Sequence, residues 1–329
     1  MNTIPLIDFG PFLDGTTADR RVVAAHIFNA FNTSGFICLS NHGIPSSAIS
    51  EVFIYSKHFF ARPLQEKNSL SWTGPRTNRG YIAHSREKLS RSHDSIEIDA
   101  QRESNPDLKE TMEIGCEGVE GVPNCWPDQS NDEGKHFKRV MLNFLEHCKD
   151  MQTHVMHAIA IGMGLPEQIF DRLTDGGNLG LRLLHYPAVS KNLFHLNPEQ
   201  VRAGEHSDYG AVTLLFQDCC GGLQIRSPDG TFVDVTPVPD TVIVNAGDML
   251  ARWSNDIIKS TPHRVVEPLA SDESGVYPAR YSVACFCSPN VNEFVEALPG
   301  THAGVVESKK YSAVNASDYF ATRLQATIP

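Results

Sequence analysis

Gly204-Glu205-His206-Ser207-Asp208-Tyr209-Gly210 is the stretch from which the rest of the chain becomes readable. On an extended segment residues i and i+2 point to one side, so the side chains of His206 and Asp208 converge. An imidazole beside a carboxylate is a donor pair for a divalent iron, manganese or zinc ion. Alone the pair is a weak signal, because His-x-Asp is short enough to arise often by chance. Its surroundings strengthen it. Short apolar, β-branched runs separated by turn residues occupy Leu181–Tyr186, Val212–Phe216, Leu223–Ile225, Phe232–Val235, Thr241–Val244, His263–Val266 and Tyr281–Phe286. Pro228-Asp229-Gly230 between two of them is a hairpin turn signal. Seven or eight short strands at this spacing predict a sandwich or barrel.

Within that β-rich region, Ser260-Thr261-Pro262-His263-Arg264-Val265-Val266 places a second histidine at the head of a strand. In Arg280-Tyr281-Ser282 the alternation puts Arg280 and Ser282 on one face. Two histidines and one carboxylate occupy half of an octahedral sphere and leave half open, the facial arrangement of non-haem Fe(II) oxygenases. An arginine and a serine nearby suit a distal carboxylate through charge-assisted hydrogen bonds. The constellation describes an iron centre with a diacid co-substrate.

Upstream the chain is mixed. Thr16 or Thr17 caps a helix carrying Val22, Val23, Ile27, Ala30 and Phe31, and Gly35 ends it. Phe36–Leu39 reads as a strand, and a second helix runs to about Phe60. Arg76–Pro127 is polar and reads as loops or a lid. A long helix spans about Glu133–Met163, stopped by Gly164 and Pro166, and a last helix follows Ser317 as N-cap. The expected layout is one oxygenase-sized domain over 1–329: a mixed, helical part over 1–175, a β core with the site over 176–292, and a helical segment over 293–329.

Composition limits the partners. With 39 acidic against 28 basic residues the formal charge is -11, which disfavours nucleic acid and anionic membranes. A hydrophobic share of 41% with 20% charged residues is ordinary globular composition. No apolar run approaches the roughly 20 residues of a membrane helix. The start, Met1–Leu6, lacks a basic n-region and an apolar core, and none of the eight cysteines forms a CxxC pair. A soluble, cytoplasmic protein with reduced thiols is expected.

The chain resembles the Fe(II)/2-oxoglutarate-dependent oxygenases of the isopenicillin N synthase-like group over nearly its whole length. The residues that carry the resemblance are Ile4-Pro5-Leu6-Ile7-Asp8-Phe9, Asn41-His42-Gly43-Ile44-Pro45, Arg79-Gly80-Tyr81, Leu181–Pro187, the His206/Asp208 segment, Gly221-Gly222-Leu223-Gln224, Asn245-Ala246-Gly247-Asp248, His263-Arg264-Val265 and Arg280-Tyr281-Ser282. Val201–Asn255 is especially similar to the fungal thymine 7-hydroxylases within that group. The resemblance implies a mainly β fold with flanking helices, its core a double-stranded β-helix or jelly roll. It implies Fe(II) held by His206, Asp208 and His263, with 2-oxoglutarate held by Arg280, Ser282 and Tyr186. Leu184 stands where plant members often carry Asn, so one polar contact to the co-substrate is missing. The implied reaction consumes O2 and 2-oxoglutarate, releases succinate and CO2, and oxidises a substrate C–H bond; ascorbate is a candidate reductant.

The same resemblance nominates Arg182, Tyr209 and Phe286 around a compact ring, the alternatives being a structural ion pair for Arg182 and core packing for the two aromatics. Asn78, Arg79 and Tyr81, on the polar loop, either cover the pocket or decorate the surface. A pyrimidine or a fungal aromatic metabolite fits a cation facing aromatics. A free amino acid such as proline, pipecolate or leucine is an alternative substrate. Desaturation, ring closure and ring expansion are alternative outcomes. An iron enzyme without 2-oxoglutarate, a silent small-molecule receptor and a nucleic-acid demethylase stand further back.

Overall fold

Alternation along the strands divides their side chains between two separate cores. The structure, a computed structural model, describes residues 4–92, 94–268, 275–302 and 308–328. Two sheets dominate it, built from β1 (Leu6–Asp8), β2 (Phe36–Ser40), β3 (Gly80–Ile82), β4 (Glu110–Gly115), β5 (Leu179–Tyr186), β6 (Ala203–His206), β7 (Val212–Gln217), β8 (Leu223–Arg226), β9 (Phe232–Asp234), β10 (Val242–Ala246), β11 (His263–Val265) and β12 (Arg280–Cys287). The large sheet runs β1-β2-β10-β7-β12-β5-β4-β3 and the small one β9-β8-β11-β6. Apart from the parallel β1–β2 pair, neighbours in both sheets are antiparallel. The crossovers between non-consecutive strands are those of a jelly roll.

Odd-numbered residues of β5 and β12 (Leu181, Leu183, Val283, Cys285) join the outer core with Leu214 and Phe216 of β7. There they meet helices α1 (Thr17–Thr33) and α4 (Asp132–Gly162) through Ile27, Phe31, Phe144, Val155 and Ile159. Helices α2 (Ser46–Phe60), α3 (Ser95–Ser104) and α5 (Ala316–Thr327) complete those of ten residues or more. Even-numbered residues on the same strands face the other way. Leu184, Tyr186 and Ala284 pack with Ala203, Leu223, Ile225 and Val265 of the small sheet, forming the interior of the barrel. A one-residue slip would exchange the two sets, so burial on both faces fixes the register.

Local signals account for most boundaries. Thr16 caps α1 in a capping box with Asp19. Gly35 ends it at φ 71°, and a Cβ there would lie 2.3 Å from the Lys259 carbonyl oxygen. Two expectations are corrected. The last helix is capped by Asn315, whose Oδ1 accepts the Asp318 N–H at 3.2 Å, and the Ser317 hydroxyl merely donates to that same oxygen. The polar stretch 76–127 holds β3, α3 and the fully buried β4 as well as loops. Glu110, Thr111 and Glu113 disguise β4, because buried cations rather than water satisfy its charges. Among the described residues no helix is long and apolar enough to cross a membrane.

Candidate metal centre and active site

Strands β6 and β11 pair so that His206 stands directly opposite His263. Their ring centroids are 4.3 Å apart. Asp208 follows two residues after β6, and its Oδ1 lies 3.8 Å from the Nε2 of each histidine. The candidate ligand atoms of all three fall within 4.8 Å of one another. Gly204 makes the approach possible: a Cβ there would sit 2.0 Å from the Leu89 carbonyl oxygen. Asp107 ties the two segments together, accepting from Gly204 N and Leu89 N.

Surrounding groups prepare each side chain for a cation. The Nδ1 of His206 lies 2.8 Å from the Gly204 carbonyl and that of His263 3.3 Å from the Thr261 carbonyl. A carbonyl only accepts, so Nδ1 carries a proton and Nε2 is the ring nitrogen that remains to ligate the centre. Burial, with His263 beside it, pulls the His206 imidazole down to about 3, so it stays neutral. The Asp208 Oδ2 accepts from Thr213 at 2.5 Å and Asn245 at 2.7 Å, which leaves Oδ1 for the centre. Burial alone raises this carboxyl; the facing histidines and these two donors outweigh it and keep it below the usual carboxylate range. Two imidazoles with Nε2 turned to one point and an ionised carboxylate fit Fe(II).

Deeper in the barrel, Arg280 faces Tyr186 across the β12–β5 pair, its guanidinium 4.9 Å from the ring. It donates to Ser282 Oγ and Gln217 Oε1 at 3.1 Å and to the Gly221 carbonyl at 3.0 Å. Arg280, Ser282 and Tyr186 are thus brought together at one end of the β12–β5 pair.

On the other side a cavity of about 340 Å³ opens, lined among others by His206, Asp208, Arg182, Tyr209 and Phe286. Arg182 stacks 5.3 Å from the Phe286 ring. Its charge is already engaged, by Glu113 at 2.5 Å and Glu87 at 3.3 Å. Glu87 in turn pairs with buried Lys109 at 3.0 Å, and Lys109 with Asp107 at 3.1 Å. Burial raises the Glu87 carboxyl, yet Lys109 and Arg182 bring it down to about 2. The Tyr209 ring lies under Arg323 of α5, 4.9 Å from its guanidinium. Asn78 and Arg79 also line the cavity. Tyr81 does not: its ring belongs to the outer core and its hydroxyl donates to Glu110. The alternation of β3 turns it away. Glu87, Glu113, Lys109 and Asp107 escaped the sequence reading because isolated charges in a polar stretch carry no periodic signal. Asn245 was visible only as part of a motif.

The chain matches two family models. Residues 4–129 match the N-terminal region of the non-haem dioxygenases in morphine synthesis, and residues 179–289 match the 2OG-Fe(II) oxygenase superfamily. The thymine 7-hydroxylase of Neurospora crassa, solved with alpha-KG and thymine, is similar with a TM-score of 0.90 and 50% identity, over 98% of this chain and 96% of that one. A proline hydroxylase of Petromyces alliaceus is 34% identical over 98% of both chains. A 2-oxoglutarate-dependent dioxygenase of Glarea lozoyensis is 35% identical over 98% of this chain and 99% of its own. The His-Asp-His cluster and the jelly-roll core agree with these matches, and the chain belongs to the 2OG-Fe(II) oxygenase superfamily as an Fe(II)- and 2-oxoglutarate-dependent dioxygenase.

Proposed function

We propose that this dioxygenase hydroxylates a small, flat, uncharged ring, with a pyrimidine of the thymine type as the leading candidate. The observation that carries this reading is the charge balance around Arg182. Glu113 and Glu87 already neutralise it, so the cavity offers a fixed directional donor rather than a net positive site. A ring carbonyl can accept from that donor; a free carboxylate would compete with two buried carboxylates. Phe286 and Tyr209 supply aromatic surface for a ring plane. The volume is at the small end for ligand pockets. Solved structures of the similar Neurospora protein are with thymine and with 5-formyluracil.

In this reading His206, Asp208 and His263 hold Fe(II), while Arg280 and Ser282 hold the far carboxylate of 2-oxoglutarate beside Tyr186. Iron, co-substrate and O2 together supply the oxidising power that breaks the C–H bond. The chain's own residues do the rest. Thr213 and Asn245 fix the Asp208 carboxylate, and Glu113 and Glu87 fix Arg182. Arg182 orients the ring through a carbonyl oxygen. Ser317, Phe320 and Leu324 of α5, with Asn78 and Arg79, line the cavity and displace water from around the ring. The chain works as one oxygenase domain, and its eight unpaired thiols suit a cytoplasmic setting.

The test is a substrate panel of thymine, uracil, proline, pipecolate, leucine and a methylated aromatic aldehyde, read by product mass. An added oxygen on thymine supports the proposal. Conversion of proline or pipecolate alone would move the enzyme to amino-acid hydroxylation; the Petromyces relative is named a proline hydroxylase.

A further inference from the structure

Arg202 is completely buried, yet most of its hydrogen-bonding capacity is unused. One terminal nitrogen donates to the Pro278 carbonyl at 3.0 Å. Its Nε and other terminal nitrogen have no hydrogen-bond partner among the described residues. Arg280, 1% exposed, lies two residues beyond Pro278, and all three of its hydrogen-bond acceptors are neutral. Burial, and then repulsion from Arg280, pull the Arg202 guanidinium below its ordinary range, while Tyr186, Cys220 and Asp218 act in the opposite sense. The two cations therefore share one end of the barrel. Asp218 forms no ion pair with either; its oxygens accept from Tyr281 N at 2.6 Å and Cys220 N at 3.0 Å.

Two other buried cations, Lys109 and Arg182, are treated differently. Lys109 has two carboxylates within 3.1 Å, and Arg182 has two within 3.3 Å. A buried charge without a counter-charge is costly, and two like charges together more so. Such a pair at the end of the barrel where Tyr186 also stands is a receptor for an anion that the chain does not itself provide.

We propose that Arg202 is a second cationic contact for the distal carboxylate of 2-oxoglutarate, acting beside Arg280. This rests on the reading that places the co-substrate against Arg280 and Ser282. Arg280 then holds the carboxylate with Ser282, and Arg202 brings the second positive charge. Ala203, next in sequence, packs in the inner core with Tyr186, which links this contact to the strand carrying His206.

The test is anaerobic titration of Fe(II)-loaded protein with 2-oxoglutarate and with 2-oxobutyrate, which keeps the chelating keto acid but lacks the distal carboxylate. Calorimetry gives the dissociation constants. Arg202→Gln should weaken 2-oxoglutarate about tenfold or more, in the range of a charged hydrogen bond, and leave 2-oxobutyrate unchanged. Arg202→Lys should recover part of the loss. Arg202→Met, which removes an uncompensated buried charge, should melt no lower than wild type without ligand and gain less from added 2-oxoglutarate. Unchanged 2-oxoglutarate affinity in a folded Arg202→Gln protein, or equal weakening of both keto acids, would overturn the assignment. Arg280→Gln separates the two levels: if it too leaves 2-oxoglutarate binding intact, the subsite reading fails, not only the part given to Arg202.

Discussion

His206 and His263 face each other across an antiparallel strand pair with their rings 4.3 Å apart, and neither reaches that position by itself. One lies at the end of β6 and the other at the head of β11, with the sheet ladder supplying the distance. The site therefore tests as a unit. His206→Ala should abolish tight Fe(II) binding and 2-oxoglutarate turnover together while the melting curve stays cooperative. Full turnover in that variant would remove His206 from the ligand set.

Asp208 keeps one oxygen free because Asn245 and Thr213 occupy the other. Asn245→Ala should lower iron affinity roughly 10- to 100-fold, the usual effect of losing a group that orients a ligand. Competition against a fluorescent chelator reads this without any turnover. Wild-type affinity would mean that the loop after β6 holds Asp208 unaided.

Arg280→Ala should raise the 2-oxoglutarate Michaelis constant strongly and leave iron bound, because the hydrogen bonds of Arg280 go to Ser282, Gln217 and Gly221 and to none of the three metal residues. An unchanged constant would detach Arg280 from the co-substrate.

Glu113→Ala strips Arg182 of its shorter ion pair inside the protein. Removing one partner of a buried pair costs about 3–5 kcal/mol, so a large drop in chemical denaturation midpoint is expected. Arg182→Met with Glu113→Gln should lose much less stability while losing substrate turnover. Equal losses in the two variants would contradict a pair that is held chiefly for the cavity.

Glu110 gives the fold a pH signature. Burial raises its carboxyl, but hydrogen bonds from His185, Lys67 and Tyr81 prevail and bring it down to about 2. A carboxyl held below its unfolded value adds stability above the unfolded pKa and loses it as the pH falls toward the folded one. The melting temperature should therefore decline between about pH 5 and pH 2. Glu110→Gln should melt lower at neutral pH and decline less in acid; parallel curves for the two proteins would refute this.

Much of the architecture was legible because it rests on two-residue alternation. Leu181, Leu183 and Val283 against Arg182, Leu184 and Ser282 already specify which face meets helices and which meets the barrel. The metal residues were legible because His-x-Asp, a later histidine and Arg-x-Ser occur in that order on strands. What stayed hidden was charge buried against charge. Glu87, Lys109, Asp107 and Glu113 look like solvent-facing residues in sequence, and only the fold reveals that they pair with one another and with Arg182. Strand β4 was missed for that reason. Tyr81, placed by its motif on a covering loop, instead belongs to the strand before β4 and turns outward to Glu110.

An Fe(II)/2-oxoglutarate oxygenase whose cavity takes a neutral ring against Arg182 and Phe286 should release succinate in step with that ring's oxidation. Iron-loaded protein is mixed anaerobically with 2-oxoglutarate, then started with O2 in the presence or absence of thymine. Succinate well above the substrate-free background is expected with thymine, and a return to background in His206→Ala. Background release with thymine, alongside stimulation by proline or pipecolate, would contradict the neutral-ring cavity.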